Sequence, residues 1–183
     1  PHTDFQRGGR TYARVWNLAR PAIARAELVV LSGTVHAGPN GSVTLTPQHY
    51  RTPWGILRTD PDAVRVVAEA IGAEAAYQHE LHHTIEHSVE LAAVWLHYIV
   101  RRPRFTILPM IVGSFREFLG DELRAEDHPG IQAAVGSLRG LSEGRRTVFV
   151  AAADLAHIGP AFGGRPVGFF ERATCRTADH EVM

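Results

Sequence analysis

The 183-residue sequence predicts a single three-layer α/β/α domain around a mostly parallel central sheet. Three observations carry this expectation. Short apolar runs of strand length recur at Leu28-Val29-Val30-Leu31, Phe105 to Val112 and Thr147 to Ala152. Between them lie longer segments with apolar residues at helical spacing. Apolar residues at 45% and charged residues at 21% also suit a chain that buries a core without disulfides or a structural metal.

The elements follow in order. A first helix is expected from near Gly9, after a Gly8-Gly9 turn, through Tyr12, Val15, Trp16 and Ala19, stopping at Pro21. Leu28 to Leu31 reads as a buried strand that runs out into the loop Gly33-Thr34-Val35-His36. Residues 37–60, rich in Gly, Pro and Thr, read as an excursion with short strands. Asp60-Pro61 has the form of a helix start, a capping carboxylate followed by Pro in the first turn, and Val64, Val67 and Ala68 supply the apolar face before Gly72. A second helix is expected from Thr84 or Ile85 to about Val100, with Val89, Ala93, Leu96 and Val100 facing the core. In the strand 105–112, Pro109 argues for an edge or a bulge. Residues 114–142 read as helical with a break at His128-Pro129-Gly130, and Thr147 to Ala152 as a further buried strand. In such sheets ligands bind at the carboxyl ends of the strands, and there the pattern places His36, Asp154 and His157.

Composition narrows the chemistry. Nineteen cationic residues balance nineteen acidic ones, so no bulk field draws in nucleic acid or anionic lipid. All the cations are Arg, which excludes a lysine Schiff base, a pyridoxal phosphate anchor or a P-loop lysine. The single Cys175 excludes internal disulfides and thiolate-rich zinc or iron–sulfur sites. No apolar stretch reaches the length of a membrane span. The start Pro1-His2-Thr3-Asp4-Phe5-Gln6 has neither an initiating Met nor the order of a signal peptide. The chain is therefore read as cytoplasmic and as the central part of a longer protein, with residues 178–183 reading as the start of another helix.

The eleven His residues are the chemical surplus. The densest group is Gln78-His79-Glu80-Leu81-His82-His83-Thr84-Ile85-Glu86-His87-Ser88, and two readings of it compete. His83-Thr84-Ile85-Glu86-His87 spells H-x-x-E-H, in which two His bind zinc from adjacent helical turns and the Glu activates water. That needs His83 inside the helix, whereas Thr84 has the character of an N-cap. Alternatively Glu86-His87-Ser88-Val89-Glu90 opens a helix whose N-terminus faces a pocket, with Glu86, Glu90 and His97 on one side. His79, His82 and His97 then read as solvated surface groups and His87 as functional.

Six segments taken together resemble a known family. Pro1-His2 followed by Gly8-Gly9, Gly33-Thr34-Val35-His36, Arg51-Thr52-Pro53-Trp54-Gly55, Glu86-His87-Ser88-Val89-Glu90, Ile107 to Gly113 and Ala153-Asp154-Leu155-Ala156-His157 occur in the order of the Memo-like family, also called AmmeMemoRadiSam system protein B. The resemblance implies a fold related to class III extradiol dioxygenases, which hold non-haem iron with two His and a carboxylate. It implies His2 and His36 as metal ligands, with Ala37 standing where other members have the second His of a pair. It implies Glu86 and His87 as catalytic pocket residues. Ala156, at a position where some members have a ligating Cys, cannot coordinate, which leaves Asp154 and His157 as nearest substitutes with catalytic roles. The implied cofactor is iron, with copper or zinc as alternatives, and the implied activity a dioxygenase-like oxidation acting on a small polar ligand. The family name points to a radical-SAM protein and an AMMECR1-like protein as partners. The competing readings are a non-catalytic binding protein of this fold and the H-x-x-E-H hydrolase. The expectation for the folded chain is that His2, His36, His87 and His157 converge on one pocket.

Overall fold

A computed structural model describes residues 3–36, 38–118, 124–153 and 158–182. His2, Asp154 and His157 thus lie outside the described residues. The chain divides into two compact units, Pro1–Ala153 and Asp154–Met183.

In the first unit, helix α1 (Phe5–Ile23) starts four residues earlier than the apolar pattern indicates, because the Asp4 carboxylate accepts from the Arg7 N–H (2.9 Å) and caps it. Gly8 and Gly9 are helical, not a turn. The helix also runs through Pro21. Proline removes one hydrogen bond, to the carbonyl of Asn17 on the exposed side, while Ile23, fully buried, anchors the last turn in the core. Strand β1 (Leu28–Thr34) follows, then the short strands β2 (Val43–Leu45), β3 (Tyr50–Thr52) and β4 (Gly55–Leu57). Helix α2 (Pro61–Ile71) starts as Asp60-Pro61 indicates, with the Asp60 carboxylate accepting from the Ala63 N–H at 2.9 Å.

Helix α3 (Ala73–Tyr77) and a 3-10 turn (Glu80–Thr84) lead into helix α4 (His87–Ile99). Its N-cap is Glu86 rather than Thr84, whose hydroxyl donates back to the Leu81 carbonyl (2.7 Å) within the turn. Strand β5 (Thr106–Val112) precedes 3-10 turns at Arg116–Phe118 and Ala125–Asp127, helix α5 (Pro129–Glu143) and strand β6 (Thr147–Ala152). Of the residues expected to be helical on either side of a break at 128–130, those after it form α5, whereas before it the described residues hold 3-10 turns. Pro129 seeds that helix in its first turn.

The main sheet has the order β2-β5-β1-β6, with β1 parallel to both β5 and β6 and β2 antiparallel to β5. Pro109 therefore sits in an interior strand, not on an edge. Ile107 N–H donates to the Arg58 carbonyl (2.9 Å), so by strand alternation Pro109 turns its missing donor to the same side. There the neighbouring backbone is interrupted between Leu45, the end of β2, and the bridge at Thr59, and no ladder bond is lost. β6 is an edge strand and only partly buried, with Phe149 55% exposed.

Alternation along β1 divides the core into two layers. Val29 and Leu31 pack with Tyr12, Trp16 and Ile23 of α1 and Val89, Ala93 and Leu96 of α4. Leu28 and Val30 pack with Val64, Val67 and Ala68 of α2, Ala76 of α3 and Ala134 of α5. Helices thus cover both faces of a mostly parallel sheet, as the near-continuous apolar strands require. The second unit contains a 3-10 turn (Pro160–Phe162) and helix α6 (Phe169–Val182), which exposes Phe169 and Phe170.

Candidate metal centre at the end of the first strand

The carboxyl end of β1 meets the N-terminus of α4, and a glycine sets how close they come. A Cβ on Gly33 would collide with the Ser88 hydroxyl and lie 2.6 Å from a Val89 methyl. With no side chain at Gly33, the fully buried Ser88 reaches across the gap. Its hydroxyl donates to the Thr34 carbonyl and accepts from the Thr34 N–H, both at 3.1 Å. The sheet end is shaped likewise at Gly113, where a Cβ would collide with the Pro39 carbonyl and where the N–H donates to the Ser42 carbonyl (2.8 Å). These two contacts account for the glycines in the Gly33 and Ile107-to-Gly113 segments.

The latch brings His36 against Glu86. The buried Glu86 carboxylate accepts from the His36 ring Nδ1–H (2.9 Å) and the His36 backbone N–H (3.2 Å) with one oxygen, and from the Ser88 N–H (3.1 Å) with the other. His87 Nδ1 lies 3.5 Å from the latter oxygen. The rings of His36 and His87 stack with centroids 5.2 Å apart. Burial alone would raise the Glu86 carboxyl, but the His36 ring, the Ser88 N–H and the His36 N–H together hold it below the ordinary carboxylate range. The group is therefore a fixed anion at the strand end.

His36, Glu86 and His87 can each present a ligand atom within 4.8 Å of the others, and among the described residues they form the one His/Cys/Asp/Glu cluster compact enough for an ion. Two imidazoles and a carboxylate suit borderline divalent metals. With Nδ1 committed to Glu86, His36 would hold an ion through Nε2, and the carboxylate would fix the ring, as partners of metal-bound His commonly do. Of the six residues assigned from sequence, the fold thus brings together His36, Glu86 and His87; His2, Asp154 and His157 lie outside the described residues. The end of β6 is nevertheless at the same side of the sheet, since Ala152 stands beside Gly33 in register.

The H-x-x-E-H geometry is not formed. His83 belongs to the 3-10 turn, not to α4. Its Nε2–H donates to the Thr44 carbonyl (3.1 Å) and its Nδ1 accepts from the Tyr50 hydroxyl (2.8 Å), so both ring nitrogens are spent within the fold. On the side of α4 that carries Glu86, Glu90 and His97, only Glu90 is exposed, and His97 is not the solvated group expected. The β3–β4 hairpin covers it, and His97, 3% exposed, hydrogen bonds through Nδ1 with the Thr52 hydroxyl (2.7 Å). Burial and the nearby Arg101 push the His97 imidazole below its ordinary range. The Arg51-to-Gly55 segment is thus a structural clasp, completed by Arg101 lying over the Trp54 and Tyr98 rings. Sequence reading missed Ser88 and Tyr50, whose partners are 54 and 33 residues away.

This arrangement, two parallel-strand ends with a His–carboxylate–His cluster at one of them, defines an α/β protein with a polar site at the sheet's carboxyl edge. The family model for Memo-like protein matches residues 1–183, and the chain belongs to that family. It is 29% identical over 161 residues to a MEMO1 family protein of Methanosarcina barkeri, covering 88% of this chain and 54% of that relative. It is 28% identical over 170 residues to one from Thermococcus onnurineus, covering 91% and 54%. A MEMO1 family protein of Pyrococcus horikoshii is 27% identical over 178 residues, covering 91% and 56%. The chain spans about half the length of the curated relatives it matches.

Proposed function

We propose that this chain holds a divalent first-row metal ion at His36 and His87, with Glu86 orienting or joining them, and that the site serves oxidative, dioxygenase-like chemistry on a small polar ligand. The observation that carries the reading is the gathering of three donor side chains within 4.8 Å at a strand end, where a glycine–serine latch sets α4 against β1. Iron fits the mixed imidazole–carboxylate set, with copper or zinc as alternatives. The resemblance adds His2 as a further ligand and leaves Asp154 and His157 as the nearest substitutes, with catalytic roles, for the ligand that Ala156 cannot supply. When bound, the ion would supply Lewis acidity and, for iron or copper, one-electron chemistry. The protein's own contribution is positional. Glu86 sets the His36 ring, Ser88 fixes the approach of α4, and His87, exposed beside them, supplies the second imidazole. Localisation in the cytoplasm and association with a radical-SAM or an AMMECR1-like protein remain part of this proposal through the family name; no helix among the described residues is long and apolar enough to cross a membrane.

The test is metal content after anaerobic purification and reconstitution with ferrous iron, copper or zinc. One ion per chain is expected, reduced at least about tenfold in affinity in His36→Ala and His87→Ala and lowered by a similar factor in Glu86→Gln, as when a group that orients a metal-bound His is weakened. Retention in His83→Gln is expected. A wild-type chain that binds none of the three metals would overturn this reading in favour of a non-catalytic binding protein of the same fold.

A further inference from the structure

On the side of the first unit formed by the 46–51 segment, the 3-10 turn and the first turn of α4 lies a cavity of about 500 Å³ that does not include His36 or His87. That volume is in the range of small-molecule sites. Its polar lining includes Thr46, Tyr50, Arg51, Glu80, His83 and Glu90, among which Glu80 and Glu90 are its carboxylates and Arg51 its guanidinium. Two of these groups are preset by the fold. His83 donates through Nε2–H to the Thr44 carbonyl, so its Nδ1 accepts from the Tyr50 O–H. The Tyr50 oxygen is thereby left with its lone pairs as an acceptor. Burial pushes the His83 imidazole below its ordinary range, and burial with the Glu90 and Glu86 carboxylates pushes the Tyr50 hydroxyl above its own, so this orientation is stable at neutral pH.

The second preset group is Glu80, which lines the cavity and whose carboxylate accepts from the Thr46 hydroxyl (2.7 Å) through one oxygen. Glu90 and Arg51, both exposed, form no ion pair among the described residues. The wall therefore offers two carboxylates and a phenolic acceptor on one hand and one guanidinium on the other. An ammonium group has three donors and no acceptor, and a guanidinium pairs best with a carboxylate. A metal ion is the competing occupant for acids and His, but these side chains do not gather closely enough to form an ion-holding cluster.

We infer that this cavity is a second binding site, separate from the metal centre, that takes a small organic zwitterion, with its ammonium on Glu80, Glu90 and the Tyr50 oxygen and its carboxylate on Arg51. The site does not depend on the metal reading.

The test uses three isosteric probes on the whole chain, 5-aminopentanoate, pentylamine and pentanoate, with affinity read by calorimetry or ligand-observed NMR. The expected order is 5-aminopentanoate, then pentylamine, then pentanoate. Glu90→Gln should weaken both amines about tenfold, the loss of one charge-assisted hydrogen bond, and leave pentanoate unchanged. Arg51→Gln should erase the advantage of 5-aminopentanoate over pentylamine. Tyr50→Phe keeps the ring and should weaken the amines; should it fail to fold, the two exposed-residue variants carry the test. His36→Ala should bind the amines as wild type does, which separates this site from the metal centre. The inference is overturned if neither amine binds, if pentanoate binds as tightly as pentylamine, if Glu90→Gln leaves amine affinity unchanged, or if zinc binding is lost in Glu90→Gln but kept in His36→Ala.

Discussion

Gly33 and Ser88 decide whether the candidate metal centre exists. A methyl group at Gly33 has nowhere to go, because Ser88 and Val89 already fill the space. Gly33→Ala is expected to cost about 1–3 kcal/mol through overpacking and to lower metal affinity by moving Glu86 away from His36. Gly9→Ala is the control. Nothing lies within 4 Å of a Cβ there, and the residue is inside α1, so the change should stabilise by about 0.5–1 kcal/mol. Urea midpoints of the two variants should move in opposite directions; a Gly33→Ala chain as stable as wild type, with full metal affinity, would remove the latch from the account. These residues also mark the limit of local reading. Thr84 is the better cap by intrinsic preference, yet Glu86 caps α4 because its carboxylate also holds His36, fifty residues upstream.

Helix α2 shows a start that the local pattern identifies fully, together with a tie that it does not. The Asp60 carboxylate caps the helix and also meets Arg145 (2.7 Å) and the Thr106 hydroxyl (3.2 Å), joining α2 to β5 and to the turn before β6. Burial raises this carboxyl, but the Ala63 N–H, Arg145 and Thr106 outweigh it and hold the group below its ordinary value of 3.8. A carboxyl held low when folded binds its proton more weakly than in the unfolded chain. Its stabilisation is therefore complete above about 3.8 and disappears as pH falls through the lowered value. Asp60→Ala should cost about 2 kcal/mol at pH 7, and Asp60→Asn, which keeps a capping oxygen but loses the charge, about half of that. Both penalties should shrink when thermal unfolding is measured near pH 3. Equal penalties at the two pH values would show that the ion pair with Arg145 contributes nothing. Pro109 belongs to the same lesson: proline in a strand pattern argued for an edge, and the gap between Leu45 and Thr59 made an interior place acceptable.

The first unit is organised by β1 and β5, the two strands that contribute to both core layers. Leu96 faces one layer and Val67 the other, both fully buried. Leu96→Ala should cost about 2–5 kcal/mol and Val67→Ala somewhat less. Because the layers meet only through the sheet, the double variant should sum the two losses to within about 0.5 kcal/mol in a single cooperative urea transition. Two separated transitions would mean that the layers fold independently.

Composition and periodicity were enough to identify the α/β class, the three main strands, the α2 start and the apolar faces of α2 and α4, because each rests on contacts within a few residues or on burial of an entire side. The same local signals placed His36 at a strand end and His87 at a helix start. They could not tell that His83 would be consumed by Thr44 and Tyr50, that His97 would be covered by a hairpin, or that Ser88 would be the bolt between β1 and α4. Those outcomes depend on partners 33 to 54 residues away. A histidine's chemistry is set by what meets its two nitrogens, and that is a property of the packed chain.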